Sequence, residues 1–178
     1  MNFRDVGEFV NFIFGKELIP EGRLLRGGKI DFVEDYAQIG FAKSIINLRI
    51  GADPVKFNTQ YFHFPISNNY EKYQTSDKNV RRWLNQVIKL FEEQTLSYPV
   101  LIHCASGKDR TGVVIAALLK ILDIPDDVII QEYLLSDGEV RQEWIKQALT
   151  GIGNPKKYFN RIESLENIVN NLKLLGQR

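Results

Sequence analysis

Beginning at Thr111 the chain is apolar on nearly every side. Val113, Val114, Ile115, Ala116, Ala117, Leu118, Leu119, Ile121 and Leu122 fill the stretch to Leu122, and a helix apolar all round belongs in the interior. Upstream, Val80, Trp83, Leu84, Val87, Ile88 and Phe91 recur at i, i+3, i+4, i+7, i+8 and i+11. That spacing gives one apolar helix face, with Ser76 or Asp77 placed to cap it, and a helix of this kind packs on a sheet. Strands are predicted over Ser44–Ile50 and Tyr61–Ser67, short segments rich in aromatic and β-branched residues, with Gly51 and Pro54 punctuating the gap. Pro99–Cys104 is a short apolar run bounded by a proline and a glycine-bearing loop, as a central buried strand should be. Further helices are predicted over 126–135 (entered after Pro125), 138–149 and 155–175. In the last, Tyr158, Ile162, Leu165, Val169 and Leu172 form a stripe at alternating spacings of four and three, read as a packing face.

The order strand, strand, helix, strand, helix, then more helices predicts a single α/β domain over residues 1–178. Its central, mostly parallel sheet should have about four or five strands with helices on both faces, and its site should lie at the C-terminal end of the 99–104 strand. No repeat or linker divides the 178 residues, and a chain of that length buries roughly two thirds of its surface on folding without a disulfide or metal staple. Lys and Arg number 23 against 22 Asp and Glu, so no long-range field gathers nucleic acid or anionic membrane, and any anion site must be local. Cys104 is the only cysteine, which excludes an internal disulfide and a zinc site of several thiolates. With two histidines beside that one thiol, neither metal nor cofactor is expected. No stretch approaches the ~20 apolar residues of a membrane span, and a cytoplasmic monomer is the expectation.

Between the buried strand and the buried helix lie His103, Cys104, Ala105, Ser106, Gly107, Lys108, Asp109, Arg110, Thr111 and Gly112. A cysteine at a strand end, five residues, then an arginine opening a helix make a tight loop. Its N–H groups aim at one point, and the helix N-terminus adds its positive dipole end. That hollow fits a phosphate. Arg110 can grip two oxygens with its planar fork, and Gly107 permits a turn closed to a residue with a Cβ. A thiol in this field has its pKa lowered from ~8.5, to as little as ~3.5–7.5 in comparable sites, so Cys104 is expected as a nucleophilic thiolate. It can attack phosphorus in line and form a cysteinyl-phosphate that water then hydrolyses, the loop amides and Arg110 holding the equatorial oxygens. A nucleotide-binding loop is excluded, because Ile102 and Asp109 stand where its first glycine and its Ser or Thr would be.

The stretch HCASGKDRTG resembles the phosphate loop of the cysteine-dependent protein tyrosine phosphatase superfamily, HC, five residues, then R and S or T. It is similar in particular to the small bacterial tyrosine-phosphatase-like enzymes with a GKDRTG loop. Their NFRD opening appears as Asn2–Asp5 and their G-R-L-x-R-S-G segment as Gly22, Arg23, Leu24, Leu25, Arg26, Gly27 and Gly28. Their D-L-R appears as Asn47, Leu48 and Arg49, and their Y-L-L-S as Tyr133–Ser136. The resemblance spans residues 2 to about 137 and implies a protein tyrosine phosphatase-like fold. It makes Cys104 the nucleophile and Arg110 the phosphate clamp within a binding loop Ala105–Arg110. Thr111 would bond the thiolate and ease the second step, and His103 would organise the loop. Lys108 would face the pocket mouth, as in relatives that also handle inositol phospholipids. Where most of the superfamily has an acid aspartate, Ser67–Tyr73 offers no early aspartate. Candidates for the general acid are Asp109, Glu71 and Asp77, with Asp109 first because lipid-phosphatase branches with a D-R-T loop ending use that residue. Gly27 for serine and Asn47 for aspartate alter local supporting hydrogen bonds.

Each residue also has a plainer role. Lys108 can be a solvated surface lysine, and Asp109 a holder of neighbouring backbone or arginine. Tyr70 and Tyr73, on a loop bordering the pocket, either stack on an aromatic substrate or are ordinary loop tyrosines. Arg4, Asp5, Arg26 and Arg49 either form salt bridges that pin the N-terminal segment to the sheet, the reading favoured, or lend one member to the anion pocket, while His63 is read as structural and Trp83 and Trp144 as core. The function expected is hydrolysis of phosphate monoesters through a phosphocysteine. Phosphotyrosine protein, with dual specificity included, leads as substrate, and phosphoinositide or inositol phosphate comes second. A catalytically weak phosphate-binding module is the rival of another class, against which intact Cys104, Arg110 and Thr111 argue. Pocket depth decides between a phenolic ester and a bulky head group.

Overall fold

A computed structural model describes residues 2–174. Alternation along the short strands sorts the side chains to the two sides of one sheet. Its strands are β1 (Arg4–Asp5), β2 (Leu24–Gly27), β3 (Ser44–Asn47), β4 (Gln60–His63) and β5 (Val100–His103), in the spatial order β1-β2-β5-β3-β4. Every pairing is parallel except β1 with β2. Leu25 and Ile45 both register with Leu101 of the central strand, and these three belong to one core, while Leu24, Ile46, Val100 and Ile102 belong to the other. A period of two requires this division.

The larger core receives all seven helices: α1 (Val6–Phe14), α2 (Lys78–Lys89), α3 (Asp109–Ile121), α4 (Asp126–Leu134), α5 (Gln142–Ile152), α6 (Pro155–Tyr158) and α7 (Leu165–Lys173). The α/β class and the mostly parallel five-stranded sheet match the expectation, but the two faces are covered unequally. The second face, where helices were also expected, is covered instead by buried Ile30, Ile39 and Ala42 with half-buried Val33, Tyr36 and Phe57, and the one helical turn there, Tyr36–Ile39, is of the 3-10 type and is capped by Asp35. As the all-round apolarity of its sequence requires, α3 is buried, with Thr111–Leu119 and Ile121 inside. Of the two predicted caps of α2, Ser76 and Asp77, it is Asp77 that accepts from the N–H groups of Asn79 and Val80, at 2.8 and 3.3 Å.

Several boundaries differ from the sequence pattern. β3 stops at Asn47, three residues early. The Asn47 amide there donates to Gly51 O and the Tyr61 hydroxyl and accepts from the Arg49 N–H, which turns the chain. Gly138 is left-handed (φ 96°) and Arg141 extended, so α5 begins at Gln142 rather than 138. The helix predicted over 155–175 is two helices. Phe159 leaves the helical region with ψ 58° to bury its ring, and Ser164 restarts the chain, its hydroxyl taking the Asn167 N–H while its own N–H goes to Glu92. The stripe itself still packs inward; residue 175 lies outside the described residues. β1, α1 and β2 have no counterpart in the pattern analysis. α1 is capped by Asp5, which accepts from the Gly7 N–H at 2.9 Å and also from that of Gly22.

Candidate active site

β5 delivers His103 and then Cys104 to the C-terminal edge of the sheet, and α3 starts at Asp109, leaving Cys104–Lys108 to turn between them. Cys104 is 2% exposed. Three successive carbonyls of the turn are tied from outside. Ala105 O accepts from Lys29 N (3.1 Å), Ser106 O from the Asn2 amide (2.8 Å), and Gly107 O from Arg26 Nη2 (2.8 Å). A trans peptide sets its N–H opposite its C=O, so the following amides, those of Ser106, Gly107 and Lys108, turn the other way, toward the concave side. Gly107 is left-handed (φ 73°), and a Cβ there would fall 2.6 Å from both Gly27 O and Gly28 N. Only glycine fits, and the Gly27–Gly28 segment is what it abuts.

The tie from Arg26 is itself held. Glu132 on α4 receives Arg26 Nη1 at 2.7 Å and Arg4 at 2.9 Å, all three side chains lying at 7% exposure or less. Burial pushes the Arg4 guanidinium below its ordinary range, opposed by Glu132 and reinforced by Arg26. Arg4 and Arg26 are thus salt-bridge partners, as read from sequence, though the acid lies on a helix and not in the sheet. Asp5 is a helix cap, and Arg49 pairs with Asp31 at 2.9 Å. His103, fully buried, has Nε2 2.7 Å from Asp53.

The concave side opens into a cavity of about 480 Å³. Cys104, Ala105, Ser106, Asp109 and Arg110 line it, joined by Asn68, Tyr70, Glu71, Lys72 and Tyr73 from the loop after β4 and by Trp144 and Gln147 of α5. Arg110 Nη2 donates to Asn68 Oδ1, while its buried Nε has no partner among the described residues. The buried Thr111 hydroxyl also has none. Asp109 Oδ1 accepts from the Tyr73 hydroxyl at 2.7 Å, and the Tyr73 and Tyr133 oxygens are 2.7 Å apart. Burial raises both phenols above the ordinary tyrosine range. Lys72 is pushed down by burial and then by Arg110, and it has no ion pair among the described residues.

Some expected residues lie elsewhere. Lys108 does not line the cavity; its Nζ lies 3.7 Å from where a Cβ of Gly138 would be. The cation that lines the cavity beside Arg110 is Lys72, which no sequence motif marks. Asp77 is committed to capping α2 and does not line the cavity, whereas Glu71 and Asp109 do. Tyr73 is buried rather than a loose loop tyrosine, and Trp144, expected in the core, is half-buried on the cavity wall. No three His, Cys, Asp or Glu side chains gather to hold a metal among the described residues, and no helix there is long and apolar enough to cross a membrane.

A cysteine and an arginine on one strand-loop-helix turn, at the C-terminal edge of a mostly parallel sheet, define the class of cysteine-loop phosphatase folds. The core catalytic domain of PP-IP phosphatase SIW14 from Saccharomyces cerevisiae shares the fold, with a TM-score of 0.60 at 18% identity over 86% of this chain and 94% of that one. The chain belongs to the tyrosine phosphatase family, whose sequence model matches residues 1–170. It is 36% identical over 77 residues to the triple specificity protein phosphatase PtpB of Mycobacterium tuberculosis, across 43% of this chain and 26% of that protein. It is 27% identical over 122 residues to the tyrosine-protein phosphatase-like protein OCA2 of S. cerevisiae, across 60% of this chain and 58% of that one. The match therefore spans about a quarter of the first curated relative and under two thirds of the second.

Proposed function

We propose that this chain hydrolyses phosphate monoesters, phosphotyrosine protein first among them, through a phosphocysteine on Cys104. The observation that carries the reading is the sulfur of Cys104 and the guanidinium of Arg110 on one cavity wall, with the intervening carbonyls turned outward. A phosphoryl group seated there meets the amide of Ser106 and the N-terminus of α3, and Arg110 exchanges Asn68 for two phosphoryl oxygens. The Cys104 thiolate attacks phosphorus, the S–P bond forming as the bond to the ester oxygen breaks, and that oxygen takes a proton from Asp109. Water then attacks phosphorus, the new P–O bond forming as the S–P bond breaks, and gives a proton back to Asp109. Phosphate leaves and the thiolate returns, with Thr111 supplying its hydroxyl to the sulfur. Each step uses a group of the chain itself, so the reading calls for neither metal nor cofactor. Tyr70 and Trp144 give the cavity the aromatic walls a phenyl phosphate stacks on. A thiolate nucleophile is kept reduced in a cytoplasmic setting, the compartment we propose.

A second reading, an inositol phosphate or phosphoinositide substrate, is favoured by Lys72, a further unpaired cation lining the same cavity as Arg110. The names of two relatives, a triple specificity phosphatase and a PP-IP phosphatase, agree with a broad substrate range. Rates on phosphotyrosine peptides, phosphoserine peptides and phosphoinositides compare the two readings. Cys104→Ser should abolish turnover of para-nitrophenyl phosphate while phosphate affinity stays within about an order of magnitude. Retained turnover would remove Cys104 from the nucleophile's role, and a wild-type chain inert on every ester would favour a binding module.

A further inference from the structure

We propose that Tyr73 is the positioning residue of the proton-transfer step: its hydroxyl holds Asp109 by one carboxylate oxygen and keeps the other free for the leaving group. The inference rests on the phosphatase reading above. Asp109 lines the same cavity as two cations, Arg110 and Lys72, yet it forms an ion pair with neither. A carboxylate left to itself beside a guanidinium closes on it, since a charge-assisted bond is roughly twice as strong as a neutral one. Such a pair would remove the acid and block the phosphate clamp at once. The hydrogen bond Asp109 does accept comes from Tyr73, at 2.7 Å to Oδ1, and Oδ2 has no partner among the described residues.

The direction of that bond is fixed by what lies behind it. Oδ1 carries no proton either in the carboxylate or in the acid that holds its proton on Oδ2, so the Tyr73 proton points to Asp109 and the Tyr73 oxygen is left to accept from Tyr133, 2.7 Å away. Both phenols are nearly inaccessible, at 6% and 1% exposure, and their rings meet edge to face at 6.1 Å. The far side of the Tyr73 ring lies against Trp144, centroids 5.7 Å apart. Neither hydroxyl can swing away without vacating its packing. Burial keeps both phenols protonated well past neutral pH, so the pair stays a donor chain at any pH where the reaction is run.

The test compares purified wild type, Tyr73→Phe, Asp109→Asn and the double variant on para-nitrophenyl phosphate and on an alkyl phosphate, whose oxygen cannot leave unprotonated. Tyr73→Phe keeps the ring and should lower the alkyl-to-aryl ratio of kcat about tenfold. The same change made in Asp109→Asn should lower it no further, because residues acting as one unit are not additive. An unchanged ratio, or losses that multiply in the double variant, would overturn the proposal. Wild type inert on both esters would instead sink the phosphatase reading beneath it. Should Tyr73→Phe fail to fold by thermal unfolding, Tyr133→Phe carries the test: a ratio lowered about threefold supports the chain of donors, and an unchanged ratio refutes it.

Discussion

Gly107 shows how much of the site is decided atom by atom. Its backbone lies in the left-handed region with Gly27 and Gly28 pressed against the place a side chain would need, so Gly107→Ala must both strain the turn and push it off its neighbours. We expect phosphate or vanadate affinity to fall more than tenfold and stability to drop by about 1–3 kcal/mol, read by inhibition titration and by urea unfolding. The requirement for glycine was legible, since the loop's spacing asks for a tight turn. What fills the space was not, because Gly27 lies in another strand and a departure from the family's serine there reads as a small loss. The same holds for Tyr73 and Lys72. Cys104, Asp109 and Arg110 announce themselves by sitting together in sequence, whereas a phenol 36 residues upstream of its carboxylate has no spacing to declare it. Lys108 is the converse case, a motif residue whose side chain ends beside Gly138.

Among the elements, those with one strong period were legible and those closed by local hydrogen bonds were not. α2 and α3 follow from their apolar spacing, and the cap of α2 from Asp77. As a cap and not an acid, Asp77→Ala should cost about 1 kcal/mol in denaturant unfolding and leave kcat/KM unchanged, while Asp77→Asn should be silent in both. A drop in kcat/KM at normal stability would return Asp77 to the chemistry. The split between α6 and α7 was hidden because a stripe at spacings of four and three looks the same whether or not the backbone breaks beneath it. β1, α1 and β2 escaped notice for another reason. Two- and four-residue strands carrying Arg4, Asp5 and Arg26 lack apolar alternation, and the two arginines are satisfied by a partner far along the chain.

At the scale of the whole molecule those charges matter most. Glu132 joins β1, β2 and α4 through two guanidinium groups, all withdrawn from water. Removing the carboxylate leaves two buried cations facing each other, so Glu132→Ala should cost about 3–5 kcal/mol, measured by urea unfolding. A loss under 1 kcal/mol would show that water reaches the cluster. The overall architecture was legible from element order, since a buried strand and a buried helix flanking one loop admit few arrangements. The uneven covering of the sheet was not, as the 28–42 segment has neither helical nor strand periodicity.

The outward ties on Ala105, Ser106 and Gly107 have an energetic corollary. A hollow whose peptide planes are already fastened by Lys29, Asn2 and Arg26 has less disorder to surrender when an anion arrives. The entropy of arranging it was spent during folding, through segments distant in sequence. Affinity for the reacting group is therefore a property of the finished tertiary structure, and a peptide carrying only the loop's own residues would bind phosphate no better than any flexible strand of the same charge.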